Sequence, residues 1–108
     1  MNDVEAEEAQ PWQHGSGPRP RVTVYDRGRE PALSVCVAGR WHYAVVRARL
    51  EHADGRIAYR VAITLPDADG RGASGYSRAY WWGQPGVRAA HGPGDRRRPG
   101  RVRALDAA

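Results

Sequence analysis

Between Trp41 and Leu65 the chain reads WHYAVVRARLEHADGRIAYRVAITL, and no other stretch limits its possible folds as much. From Ile57 onward the larger apolar residues fall on every second position: Ile57, Tyr59, Val61, Ile63, Leu65. Ala58, Arg60, Ala62 and Thr64 lie between them. That period of two is a strand with one buried face and one solvated face. The preceding stretch is less regular. Ala44, Val46, Ala48 and Leu50 share one face, while Trp41, Tyr43 and Val45 share the other, which turns polar at Arg47, Arg49 and Glu51. An apolar face that changes sides along one strand predicts a bent strand serving two layers, as in small barrels. Asp54-Gly55 joins the two strands as a hairpin, because glycine takes positive φ without steric penalty. Leu65-Pro66 ends the second strand, since proline cannot donate to a ladder.

The rest of the 108-residue chain adds to this hairpin or hangs from it. Residues 1–20 are acidic (Asp3, Glu5, Glu7, Glu8) and then rich in Pro, Gly and Ser. That composition predicts a disordered lead-in with at most one acidic turn at 3–10. Residues 21–90 form the expected domain. Within it Arg21–Asp26 and Leu33–Ala38 read as strands, and Gly39-Arg40 as a two-residue loop returning the chain into Trp41. Residues 66–75 carry every loop signal. Tyr76–Trp82 is a further strand, GQPG (83–86) a tight turn, and Val87–Ala90 a short closing strand. From His91 to Ala108 the chain is proline, glycine and arginine, and a disordered tail is expected. The fold class is all-β, with five or six strands in a small, partly open barrel and a tail at each end.

Val37-Ala-Gly-Arg-Trp41 leading into the bent strand, the Asp54-Gly55 hairpin, and Tyr80-Trp81-Trp82 before Gln84-Pro-Gly and Val87-Arg88 resemble small SH3-like or Tudor-like barrels over roughly residues 31–90. The Ala53-Asp-Gly-Arg56 turn and the Tyr-Trp-Trp strand are also similar to small uncharacterised proteins of high-GC bacteria. The first likeness implies a binding module; the second implies no function.

Composition excludes more than it assigns. All 17 basic residues are arginine, and the net charge is +5. A lysine-free, Ala/Gly/Arg-rich chain reflects a high-GC genome in part, and the remaining charge suits a polyanion partner. A lone cysteine, Cys36 in Val-Cys-Val, closes no intrachain disulfide and reads as a small buried hydrophobe. No apolar run reaches membrane-spanning length and no secretory signal opens the chain, so a cytoplasmic location and no membrane partner are expected. A core of roughly 60–70 ordered residues buries only about 60% of its unfolded surface, too little to enclose an enzyme-sized site. Gly70, Gly72 and Gly75 spell G-x-G-x-x-G, but a strand follows rather than a helix, so the glycines serve a loop. His52, Asp54 and His42 or His91 lack the rigid spacing of a zinc site, and Asp54 reads as a turn residue. Ser34, Ser74 and Ser77 lack a nucleophile elbow. No catalytic residue, metal or cofactor is expected.

The aromatics carry the functional signal. Tyr76, Tyr80, Trp81 and Trp82 are interleaved with Arg78 and followed by Arg88, and Trp41 and Tyr43 are expected at the same end of the barrel. Rings beside guanidinium groups stack bases and neutralise phosphates. A chain without phenylalanine must also build its core from such rings, so alternation should turn one of Trp81 and Trp82 inward. Arg96, Arg97, Arg98, Arg101 and Arg103 supply a basic arm for salt-sensitive polyanion contact. The expectation is a non-enzymatic binding module for nucleic acid. The alternative is a protein-interaction module that takes an extended peptide in an aromatic groove or at a strand edge. Oligomeric state is left open. Because Gly55 is expected at positive φ, Gly55→Val should destabilise the domain by about 1–2 kcal/mol in a denaturant melt. An unchanged midpoint would remove the turn assignment.

Overall fold

A computed structural model of the chain describes residues 4–90. The proposed basic tail and its five arginines lie outside the described residues. Six strands form one antiparallel sheet: β1 (Arg21–Val24), β2 (Ala32–Val37), β3 (Arg40–Glu51), β4 (Ile57–Pro66), β5 (Ala73–Trp81) and β6 (Val87–Ala89). The order is β5-β4-β3-β2-β6, with β1 also on β3, and the sheet does not close on itself. Among the described residues there is no helix long and apolar enough to cross a membrane.

β3 is the spine. One edge carries β4 along most of its length. The other edge is shared, with β2 on residues 40–45 and β1 on residues 48–51. The change of partner falls at a register shift between Val46 and Ala48. There Tyr25 N–H donates to the Arg47 carbonyl and Val46 N–H to the Pro31 carbonyl. The Arg47 side chain is held by Glu30 at 2.8 Å. The backbone N–H of Gly28, with Arg47 as a lesser cause, holds the Glu30 carboxyl below its ordinary pKa.

This bulge corrects the expected faces. An extra residue leaves the apolar parity of the sequence intact but turns the strand over. Ala44 and Val46 therefore join a core with Leu33, Val35, Val61, Ile63, Leu65, Tyr80 and Val87. Ala48 and Leu50 join a second cluster with Ala9 and Ala58, covered by Ala79 and Trp81. Ala58, expected in solvent, is fully buried. Each fully buried valine of the main core contributes about 1.5–3 kcal/mol.

Three turns also differ from expectation. The β2–β3 loop is Ala38-Gly39 rather than Gly39-Arg40, with Val37 paired to Arg40. Both loop residues have positive φ, 53° and 80°, the type I′ geometry whose twist matches the flanking strands. The Asp54-Gly55 hairpin is wider than two residues. Gly55 N–H donates to the His52 carbonyl and His52 N–H to the Arg56 carbonyl, with Gly55 at φ 92°. That is a three-residue loop ending in a left-handed glycine. Ser74 and Gly75, expected in a loop, pair with Leu65 and Thr64, so β5 begins at Ala73.

Residues 4–10 depart most from the expected disordered lead-in. They form a strap that joins β2 to the edge strand β5. Ala6 N–H donates to the Cys36 carbonyl on β2. On β5, Trp81 N–H donates to the Glu7 carbonyl and Ala9 N–H to the Ala79 carbonyl. Gln84 clasps Glu7 from the turn, accepting from its N–H at 2.7 Å and donating to its carbonyl at 2.9 Å. The ladder goes no further because Pro11 has no N–H to offer. Gly86 is the seat of the strap: a Cβ there would lie 2.7 Å from the Ala6 Cα and N. Gly86→Val should destabilise the chain by about 1–3 kcal/mol in chemical denaturation. The same substitution in a chain beginning at Gln10 should be nearly neutral. Equal losses in both backgrounds would show that the strap is not the cause.

Candidate functional site

The eight aromatic and arginine residues singled out from the sequence fall into separate groups. Trp41, Tyr43 and Arg88 come together. Ser34 pairs with Tyr43 on one side and Arg88 on the other, so one row crosses β3, β2 and β6 on the face turned away from the main core. Trp41, two residues before Tyr43, shares that face. The Arg88 guanidinium carbon lies 3.8 Å from the centroid of the Trp41 ring. Trp41 is 38% exposed and Tyr43 51%. Among the described residues Arg88 has no carboxylate within ion-pair distance. A guanidinium stacked this way keeps its N–H edge free for an anion.

Tyr76, Arg78 and Tyr80 lie on the opposite, core-facing side of β5. Tyr80 is 1% exposed and belongs to the core. Its hydroxyl accepts from Arg78 at 3.3 Å. Arg78 also lies 4.9 Å from the Tyr76 ring centroid and 3.8 Å from the Glu8 carboxylate. This is a strut at the sheet edge, with only Tyr76 well exposed.

Trp81 and Trp82 take different environments, as alternation required. Trp81 sits opposite Ala58 in the second cluster. Ala58 is six residues along β4 from Thr64, so Trp81 is roughly 20 Å along the sheet from the level of Tyr43. Arg56 stacks on Trp81 at 3.9 Å, and His52 meets it with ring centroids 4.7 Å apart. Trp82 is 44% exposed and packs edge-on against Tyr59 at 5.7 Å. Of the rings expected at one end with Trp41 and Tyr43, Tyr76 lies level with Ala44 but on the opposite face, and Trp81 and Trp82 lie at the other end of the sheet.

A groove runs beside the hairpin tip and was missed in the sequence. It has two contiguous lobes of about 410 and 440 Å³ sharing Gln10, Pro11, Trp12 and His52. Trp12 forms one wall, with Arg19 stacked on it at 4.9 Å. Trp12 stands in a Pro/Gly/Ser-rich stretch whose composition argues for no structure. Only the register bringing Trp81 beside the hairpin tip reveals the opposite wall.

The other motifs resolve plainly. Gly70 has φ 74° in the β4–β5 turn and Gly75 lies within β5, so the glycine pattern belongs to a hairpin. Asp54 accepts from the Arg56 backbone N–H, which together with the Arg56 side chain lowers its pKa. It is a turn residue. Among the described residues no three His, Cys, Asp or Glu side chains gather as a metal site would need.

Fold and surface together define a small all-β domain with an aromatic–arginine face on an open sheet. Compared with protein-family models, curated proteins and solved structures, the chain matches none.

Burial raises the Tyr80 pKa above its ordinary 10.0. Below that value the phenol is neutral in both folded and unfolded chains. As pH rises through it the unfolded chain ionises first, so stability falls until the folded phenol follows. Thermal melts on either side of pH 10.0 should show this alkaline loss, and Tyr80→Phe should reduce it. An identical pH slope in the variant would assign the loss to other groups.

Proposed function

We propose that the chain is a non-enzymatic binding domain for single-stranded nucleic acid, with the outer face of β2, β3 and β6 as its platform. The observation that carries this reading is the row Tyr43–Ser34–Arg88 with Arg88 stacked on Trp41. Exposed rings on a sheet face stack bases in a sequence-tolerant way, because every base has a π-face. The guanidinium edge of Arg88 meets a neighbouring phosphate. The arginines from Arg96 to Arg103 begin eight residues after Arg88 and add electrostatic attraction to the same strand.

The test is a tryptophan-fluorescence titration with short single-stranded DNA at about 50 and about 200 mM salt, on the full chain and on one ending at Gly92. Salt-sensitive quenching should persist in the shorter chain. Tyr43→Ala should weaken binding by about 1–3 kcal/mol. Arg88→Ala should lower the magnitude of the salt slope by about 0.7. Binding that vanishes with the tail, or that ignores both substitutions, overturns the platform. Binding insensitive to salt points away from phosphate.

A further inference from the structure

The free edge of β5 is self-complementary. Trp81 N–H and the Ala79 carbonyl point outward to the strap, and the register with β4 is unbroken from Ala73 to Trp81. The backbone groups of Ala73, Gly75 and Ser77 therefore point outward too. Among the described residues they have no backbone partner. The strap leaves the edge at Pro11, which lines the groove with His52 and Trp12. Among the described residues nothing guards what remains. Residues 73–77 contain no charge, no proline and no bulge, the usual devices that keep strand edges from pairing.

We propose that this edge pairs antiparallel with the same edge of a second copy, about a dyad through Gly75. In that register Gly75 meets Gly75, and Ala73 meets Ser77. Each outward residue then both donates and accepts, which satisfies every open backbone group on the edge. The side chains agree with the backbone. Tyr76, 40% exposed, comes opposite the partner's Ser74. Arg78 comes opposite the partner's Gly72, whose side-chain position is already filled by a carboxylate. The Asp67 Oδ2 is 3.2 Å from where a Gly72 Cβ would be, and Asp67 Oδ1 accepts from Ser74 Oγ at 2.6 Å. One end of the edge is thus cationic and the other anionic, and the antiparallel dyad joins unlike ends twice. A parallel pairing would join like ends. This inference does not rest on nucleic-acid binding.

The test uses the full chain. Gly75→Cys places a thiol where a Cβ meets nothing within 4 Å. Directly opposed hydrogen-bonded residues lie about 5.5 Å apart at Cα, within disulfide range. Mild oxidation should give a covalent dimer with Gly75→Cys and not with Ser16→Cys, which is exposed and off the edge. In sedimentation velocity Arg78→Asp should weaken dimerisation by about tenfold, the loss of two equivalent partly exposed ion pairs. Adding Asp67→Arg to it should restore the dimer. A wild-type chain that stays monomeric at all accessible concentrations overturns the proposal. Cross-linking no better than the Ser16→Cys control overturns it as well.

Discussion

The bulge at Arg47 is the constraint on which the architecture depends. Without it β3 would present Ala44, Val46, Ala48 and Leu50 to one side, and the other side of the sheet would lose its apolar cover beneath Trp81. With it, one strand supplies two clusters and exchanges β2 for β1 along the same edge. The Glu30–Arg47 contact is partly exposed and contributes about 0.2–1 kcal/mol. The bulge is set mainly by backbone hydrogen bonds from both flanking segments and by burial on both faces.

The same economy of backbone governs how the strap joins β2 to β5. The strap from Val4 to Ala9 buries only one residue fully, Ala9, yet its amides and carbonyls reach both β2 and β5. A segment too polar to fold alone is ordered because the sheet offers unpaired backbone groups and because Gly86 leaves room for it. Where proline ends the strap, the β5 edge has no further backbone partner among the described residues.

How legible this was depends on the kind of interaction. The hairpin, the six strands and their approximate limits follow from alternation, turn residues and proline. The bulge was half legible: the change of sides showed, but a bulge preserves sequence parity, so the residues on each face could not be assigned. The strap was illegible, because backbone hydrogen bonds leave no compositional trace. The pairing of Arg88 with Trp41 and of Arg56 with Trp81 needed cross-strand register. Adjacency in sequence grouped Tyr80, Trp81 and Trp82, whereas the sheet gives them one core, one cluster and one exposed position.

The strap also sets a timetable. Glu7 bonds to Gln84, a separation of 77 residues. During synthesis the strap leaves the ribosome well before its partners in β5 and the following turn, so it is among the last segments of the sheet to find its place. Its seat at Gly86 does not exist until nearly the whole sheet has been made. Such long-range closure is slow relative to local hairpins. Until then the edge of β5 near Ala79 and Trp81 stands as open as the stretch beyond Pro11, and the nascent chain has one long unguarded margin instead of a short one.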